Sequence, residues 1–234
     1  VTLILAALIG VLALLALLDR DRYHSYVEEW QLIIGPQLWT GALWQPLTTT
    51  LPHGGILHAA FNLYWLFLIG GTVENAWGPW RMLLLVVALA YGSSMAQWVL
   101  PAYVGPAAPG IGLSGVGYGL FGLVWIGRRY RSDFALVCSP GIVQLFVGWF
   151  LLCFVFTWLG WMRIGNVAHG SGLVLGTLLG LTLYARRKRL LWACLLGLCG
   201  LLTLVTLVWC PGHPQFESVR DHGLWWVTRL FGVR

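Results

Sequence analysis

Ser114 and His169 lie near the start of two glycine-rich apolar runs, in the segments GLSGVGYGLFG and AHGSGLVLG, and His58 and Asn62 lie near the start of a third, within HGGILHAAFN. A serine hydroxyl becomes a nucleophile when a base takes its proton, and histidine is the usual base. The pair predicts acyl transfer, with Ser114 attacking a carbonyl and a buried, neutral His169 receiving the proton. His58 and Asn62 stand one helical turn apart on one face, where their donors can converge on a developing oxyanion. The N–H of Ser114, in the first turn of its helix, lacks an intrahelical acceptor and adds another donor. Taken singly these residues have plainer readings. A serine in a Gly-rich helix is commonly packing, a histidine in a span is commonly structural, and His58 with Asn62 also fits an interhelical hydrogen-bond pair. What favours chemistry is that separate stretches of chain deliver a hydroxyl, two imidazoles and an amide to one depth. No carboxylate is left to complete a triad. Asp19, Asp21, Glu28 and Glu29 fall in the first loop, Glu74 and Asp133 on the cytoplasmic side, and Glu217 and Asp221 in the tail. The expectation is a Ser–His dyad. The segment GLSGV also departs from the G-x-S-x-G elbow of soluble hydrolases.

The elements that must hold these groups follow from composition. Of 234 residues 59% are hydrophobic and 9% charged, against about 25% charged in soluble domains, and mean hydropathy is +0.78. The chain reads as an all-α polytopic membrane protein. A helix needs about 20 apolar residues to cross the hydrocarbon, and such runs lie near 1–18, 54–73, 81–100, 112–127, 141–160, 166–185 and 190–209. The second, fourth and sixth run in the same direction, so their first residues share one leaflet. With the N-terminus cytoplasmic, the inner loops carry Arg81, Arg128, Arg129, Arg131, Arg186, Arg187, Lys188 and Arg189, and the outer loops only Arg20, Arg22 and Arg163. That bias predicts N-in, C-out, with the candidate site opening to the extracytoplasmic side. The fourth run covers about 24 Å, too short to cross unaided. The charge-free segment Pro101–Gly112 is therefore expected to dip into the membrane and line a water-filled cavity, with Ser114 at its floor. Gly172 and Gly176, facing Gly115, Gly119 and Gly122, predict a close approach of the fourth and sixth spans, which a Ser114–His169 hydrogen bond demands.

The long first loop, 19–53, begins charged and turns apolar around Trp30, Trp39 and Trp44. Its second half is expected in the membrane interface. The tail 210–234, with Trp225, Trp226, Leu230 and Phe231, is expected to be either an interfacial helix or unstructured. A net charge of +6 without basic runs interleaved with polar groups excludes nucleic-acid binding as the main role. Five cysteines without a CxxC pair indicate neither a disulfide framework nor a metal site, and no metal or cofactor is expected. The run opening at Val1 has no signal-peptide n-region or A-x-A site, and without an initiator Met residues ahead of it are expected. A small transporter would want inverted repeats or paired mid-membrane charges, and the chain offers no convincing sign of either.

Together HGGILHAAFN (His53–Asn62), GLSGVGYGLFG (Gly112–Gly122) and AHGSGLVLG (Ala168–Gly176) resemble the motifs of rhomboid intramembrane serine proteases. The resemblance covers nearly the whole chain. It implies a six-helix catalytic core over 1–189 and an extra transmembrane helix at 190–209, the six-plus-one arrangement. It also implies a bacterial plasma membrane, because mitochondrial members add their extra helix at the N-terminus. By the same resemblance Ser114 is nucleophile, His169 general base, and His58 with Asn62 the oxyanion-hole side chains. Tyr118 matches a tyrosine that stacks on the catalytic histidine, Glu74 a structural carboxylate, and Gly112 and His53 belong to the supporting motifs. Where the family carries a Trp-Arg pair in its first loop, this chain has Trp44-Gln45. The arginine's hydrogen bonds must be replaced, so altered stability or gating with retained activity is expected. The implied partners are membrane lipids and the transmembrane segments of substrate proteins, cleaved where they unwind. A rival, a non-catalytic relative that binds transmembrane clients, would lack the serine or the histidine.

Overall fold

In hydrocarbon every backbone polar group must be satisfied within the chain, so apolar runs fold as helices. The computed structural model describes residues 1–104, 110–210 and 213–217, and among them every regular element is helical. In chain order the helices are α1 (Thr2–Leu18), α2 (Arg20–Glu29), α3 (Gln45–Thr48), α4 (Ile56–Trp65), α5 (Gly71–Trp77), α6 (Pro79–Val104), α7 (Ser114–Gly127), α8 (Ser132–Val137), α9 (Pro140–Trp158), α10 (Asn166–Tyr184), α11 (Arg189–Val208) and α12 (Pro214–Glu217). A π turn at Leu66–Gly70 joins α4 and α5 into one apolar helix, Ile56–Trp77. That helix, α6, α9, α10 and the segment Arg186–Val208 are long and apolar enough to cross a membrane, and α1 and α7 are shorter apolar helices. Each falls on one of the seven runs. The protein is an integral membrane protein.

The centre is α7, whose residues from Gly115 to Gly127 are mostly buried, with Leu120, Phe121, Leu123 and Val124 at most 1% exposed. Lipid tails are as apolar as leucine, so helices in membranes associate through close packing rather than water expulsion. The α7–α10 seam does this with backbone alone. A Cβ added at Gly172 would collide with the Gly115 carbonyl, and one at Gly176 with the Gly119 carbonyl. Ser93 of α6 presses on Gly115, and Leu89 on Gly119.

Several boundaries differ from the sequence reading. The third span continues through Pro101 to Val104, because proline removes a single i→i−4 bond and the remaining backbone stays helical. Residues 101–104 are thus helix, and 105–109 lie outside the described residues. The fourth span starts only at Ser114, giving about 21 Å of helix. The charged start of the first loop is not loop but α2, capped by the Asp19 carboxylate on Arg22 N at 3.0 Å. Its Tyr23 and Val27 are buried beside Leu12, Leu15 and Ala16 of α1. Trp39, expected in the interface, is 2% exposed, whereas Trp30 and Trp44 are 62% and 48% exposed. Burying Trp39 satisfies its indole N–H, which donates to Thr206 O in α11 at 3.0 Å. Of the tail, Trp225, Trp226, Leu230 and Phe231 lie outside the described residues.

Candidate active site

The site forms where the first residues of α4, α7 and α10 meet. Leu113 N–H, an orphan donor before α7, donates to His53 Nε2 at 3.3 Å, while His53 Nδ1 donates to Leu51 O at 2.9 Å. That pairing assigns the tautomer. Burial, reinforced by His58 with its ring centroid 4.8 Å away, lowers the His53 pKa to about 4, which keeps the ring neutral as both bonds require. The neighbouring Gly112 has φ +102, a region that favours glycine, and its N–H donates to Thr49 O at 3.0 Å. A Cβ there would stand 2.9 Å from the His58 ring. Glycine at 112 therefore lets α7 begin directly beneath His58.

Ser114 Oγ lies 2.8 Å from His169 Nε2. A hydroxyl donating to Nε2 requires the ring proton on Nδ1, and His169 Nδ1 is buried with no hydrogen-bond partner among the described residues. Among the described residues no carboxylate orients this ring. Its plane is set by Tyr118, stacked at 4.8 Å and 28°, whose own hydroxyl donates to Phe146 O at 3.2 Å. Asn62 Nδ2 donates to His58 O at 2.9 Å, an intrahelical bond rather than an interhelical one, and the amide has a second N–H to direct elsewhere. His58 Nδ1 accepts from Gly54 N at 3.4 Å. The arrangement offers a hydroxyl in contact with an imidazole, with further donors clustered around the same helix start.

Two sequence candidates lie away from this cluster. Glu74 is at the opposite end of Ile56–Trp77 from His58, where its carboxylate accepts from the backbone nitrogens of Val1 at 2.6 Å and Thr2 at 2.7 Å and so caps α1. Trp44 is half exposed on the first loop, and the buried member of that dipeptide is Gln45, whose Oε1 accepts from Gly35 N at 3.1 Å. This bond ties the loop across ten residues at the position where the rhomboid motif has arginine. Residues the sequence reading passed over also bear on the site. Gln97 Oε1 accepts from Ala168 N at 3.1 Å, fixing the turn that carries His169. Thr49 Oγ1 donates to Gly110 O at 3.1 Å. Asn166, which the sequence already sets beside His169 at the start of the sixth span, donates its Nδ2 to Thr157 Oγ1 of α9 at 2.9 Å. The signal for Gln97 was present: Ser93, Ser94 and Gln97 are polar residues near the end of an apolar run whose end shares the leaflet of the site. Among the described residues no cluster of His, Cys, Asp or Glu could hold a metal.

Comparison with known proteins agrees with the motifs. The rhomboid domain family matches residues 40–186. The rhomboid protease GlpG of Pectobacterium atrosepticum is 34% identical over 178 residues, covering 75% of this chain and 60% of that protein. Those of Serratia proteamaculans and Haemophilus influenzae are 36% and 34% identical over 138 residues each, covering 58% and 59% of this chain and 47% and 68% of the relatives. The chain thus spans about half to two thirds of the length of these curated relatives. With the domain matched over more than half its length, and with the matched region holding all four motif residues around Ser114, the chain belongs to the rhomboid family.

Proposed function

We propose that this chain is an intramembrane serine endopeptidase acting by a Ser114–His169 dyad, within a catalytic core over residues 1–189 to which the helix at 190–209 is an addition. The contact of 2.8 Å between Ser114 Oγ and His169 Nε2, across a seam of glycines, carries this reading. A substrate transmembrane segment enters from the lipid, unwinds and presents a peptide carbonyl to Ser114. His169 takes the hydroxyl proton as Oγ bonds to the carbonyl carbon, and the oxyanion is met by the Ser114 N–H and by donors from His58 and Asn62. For this, Asn62 uses its second N–H and His58 its Nε2. Imidazolium then protonates the leaving amine, the C–N bond breaks, and water hydrolyses the acyl-enzyme with His169 again as base. Arginine and lysine placement supports a cytoplasmic N-terminus with the site facing outward. The bacterial relatives support a bacterial inner membrane.

The test is labelling by a fluorophosphonate in detergent, read by intact mass, alongside cleavage of a transmembrane-segment substrate. The parent should gain one adduct, and Ser114→Ala and His169→Ala should lose both labelling and cleavage. Removing one hydroxyl from a Gly-rich helix start disturbs little packing, so Ser114→Ala should remain folded. Persistent cleavage in folded Ser114→Ala overturns the reading.

A further inference from the structure

The matched domain ends at residue 186, so α11 and the segment after it lie outside the rhomboid core. They are nevertheless built into the site's supports. Trp39 of the first loop lies edge-on to His213 at 4.8 Å and to Phe216 at 5.4 Å, and donates to Thr206 O. His213 Nε2 donates to Trp98 O of α6 at 3.3 Å, and the two rings lie 5.3 Å apart. All four of these side chains are at most 4% exposed. Three elements distant in sequence, the first loop, the outer end of α6 and the segment after α11, therefore share a small aromatic core separate from the main one.

Each of the two clamped elements leads to one member of the dyad. Gln97, adjacent to Trp98, holds Ala168 N, the residue before His169. The first loop, through Thr49 and His53, holds the N–H groups of Gly112 and Leu113, the residues before Ser114. Fastening the loop to α6 fixes the support of Ser114 against the support of His169. We propose that the segment after α11, through Phe216 and His213 packed on Trp39 and Trp98, is a positioning element for the dyad. This rests on the protease reading, and the residues concerned touch no reacting atom.

The experiment compares the full chain with Phe216→Ala, Trp39→Phe and, as a control on the lipid-facing side of α11, Leu202→Ala, which alters a residue 56% exposed. Hydrogen exchange of peptides covering 36–50 and 164–172 is read together with kcat and KM for a transmembrane-segment substrate. Trp39→Phe keeps an aromatic ring at this position while removing the indole N–H that bonds Thr206, so it is expected to stay folded even where Phe216→Ala does not. The loss of one hydrogen bond predicts about fivefold faster exchange. Both peptides should show it, and kcat should fall while KM stays unchanged, with Leu202→Ala matching the parent. Unchanged exchange at 164–172 in folded Trp39→Phe overturns the proposal. Absence of cleavage by the parent overturns the protease reading instead, and leaves the exchange result to decide the clamp.

Discussion

A single methyl group placed in the α7–α10 seam tests what sets the Ser114–His169 distance. At Gly172 an added Cβ lands on the Gly115 carbonyl, and because that obstacle is backbone rather than a flexible side chain, no rotamer change relieves it. Contact between carbon and oxygen is restored only if the helices part by on the order of 1 Å. Overpacking of this kind costs about 1–3 kcal/mol, a tolerable loss for a folded bundle. The effect on chemistry should be larger. Gly115 adjoins Ser114 and Gly172 lies one turn after His169, so the separation falls on the 2.8 Å contact between them. Misplacing reacting groups by about 1 Å can cost on the order of 10²-fold in rate. Gly172→Ala should therefore cleave a transmembrane-segment substrate about 100-fold more slowly, with parallel loss of fluorophosphonate labelling and a modest fall in thermal stability. The matched control is Gly170→Ala, where the new Cβ would meet only Phe150 at 3.6 Å, an ordinary contact. That variant should behave as the parent. Folded Gly172→Ala cleaving at the parental rate would refute the claim that the glycine seam fixes the dyad.

His53, held neutral with its pKa lowered to about 4 by burial and by His58, gives a signed pH dependence. Between pH 6.5 and 4 the unfolded chain binds the proton that the folded one refuses. Stability at this group is thus complete above pH 6.5 and falls by on the order of 3 kcal/mol as pH drops to 4. Thermal unfolding across that window should lose part of its pH slope in His53→Gln, and an unchanged slope assigns the dependence elsewhere. Gln97→Met deprives Ala168 N–H of its acceptor and should cost about 1–3 kcal/mol, with a larger fall in kcat than in KM, measured on the same substrate. Asp19→Ala removes the cap of α2 and should cost about 0.5–2 kcal/mol of stability while cleavage by the folded protein is unaffected; Asp19→Asn should restore most of it.

The helices and the Ser114–His169 contact were legible for different reasons. Apolar runs of membrane-spanning length cannot avoid being helices, so all seven were visible, with their ends displaced by a few residues where Pro101 stayed helical and where Gly112 and Leu113 stayed out of α7. Ser114 and His169 stood out because a polar group in an apolar run is rare, and Gly172 and Gly176 because their four-residue spacing repeats that of Gly115 and Gly119. What the sequence hid was tertiary. The helix α2 has a charged surface, and its two buried residues gain meaning only against α1. Nothing local distinguishes Trp39, which is buried by a segment more than 150 residues later, from Trp44, which is exposed. Gln97 lay in plain view, but its role depends on α10 arriving beside it.

The shortness of α7 bears on the second substrate of any hydrolase. With the far end of α7 at one boundary, about 21 Å of helix within roughly 30 Å of hydrocarbon leaves Ser114 on the order of 9 Å beneath the other. Each turnover of the proposed mechanism consumes one water at that depth, and consumes it only after the amine product has left. Acylation needs no water and deacylation does. Lowering water activity with an excluded osmolyte should therefore leave the labelling rate of Ser114 unchanged while the acyl-enzyme accumulates, turning the depth of one helix start into a kinetic partition between the two halves of the reaction.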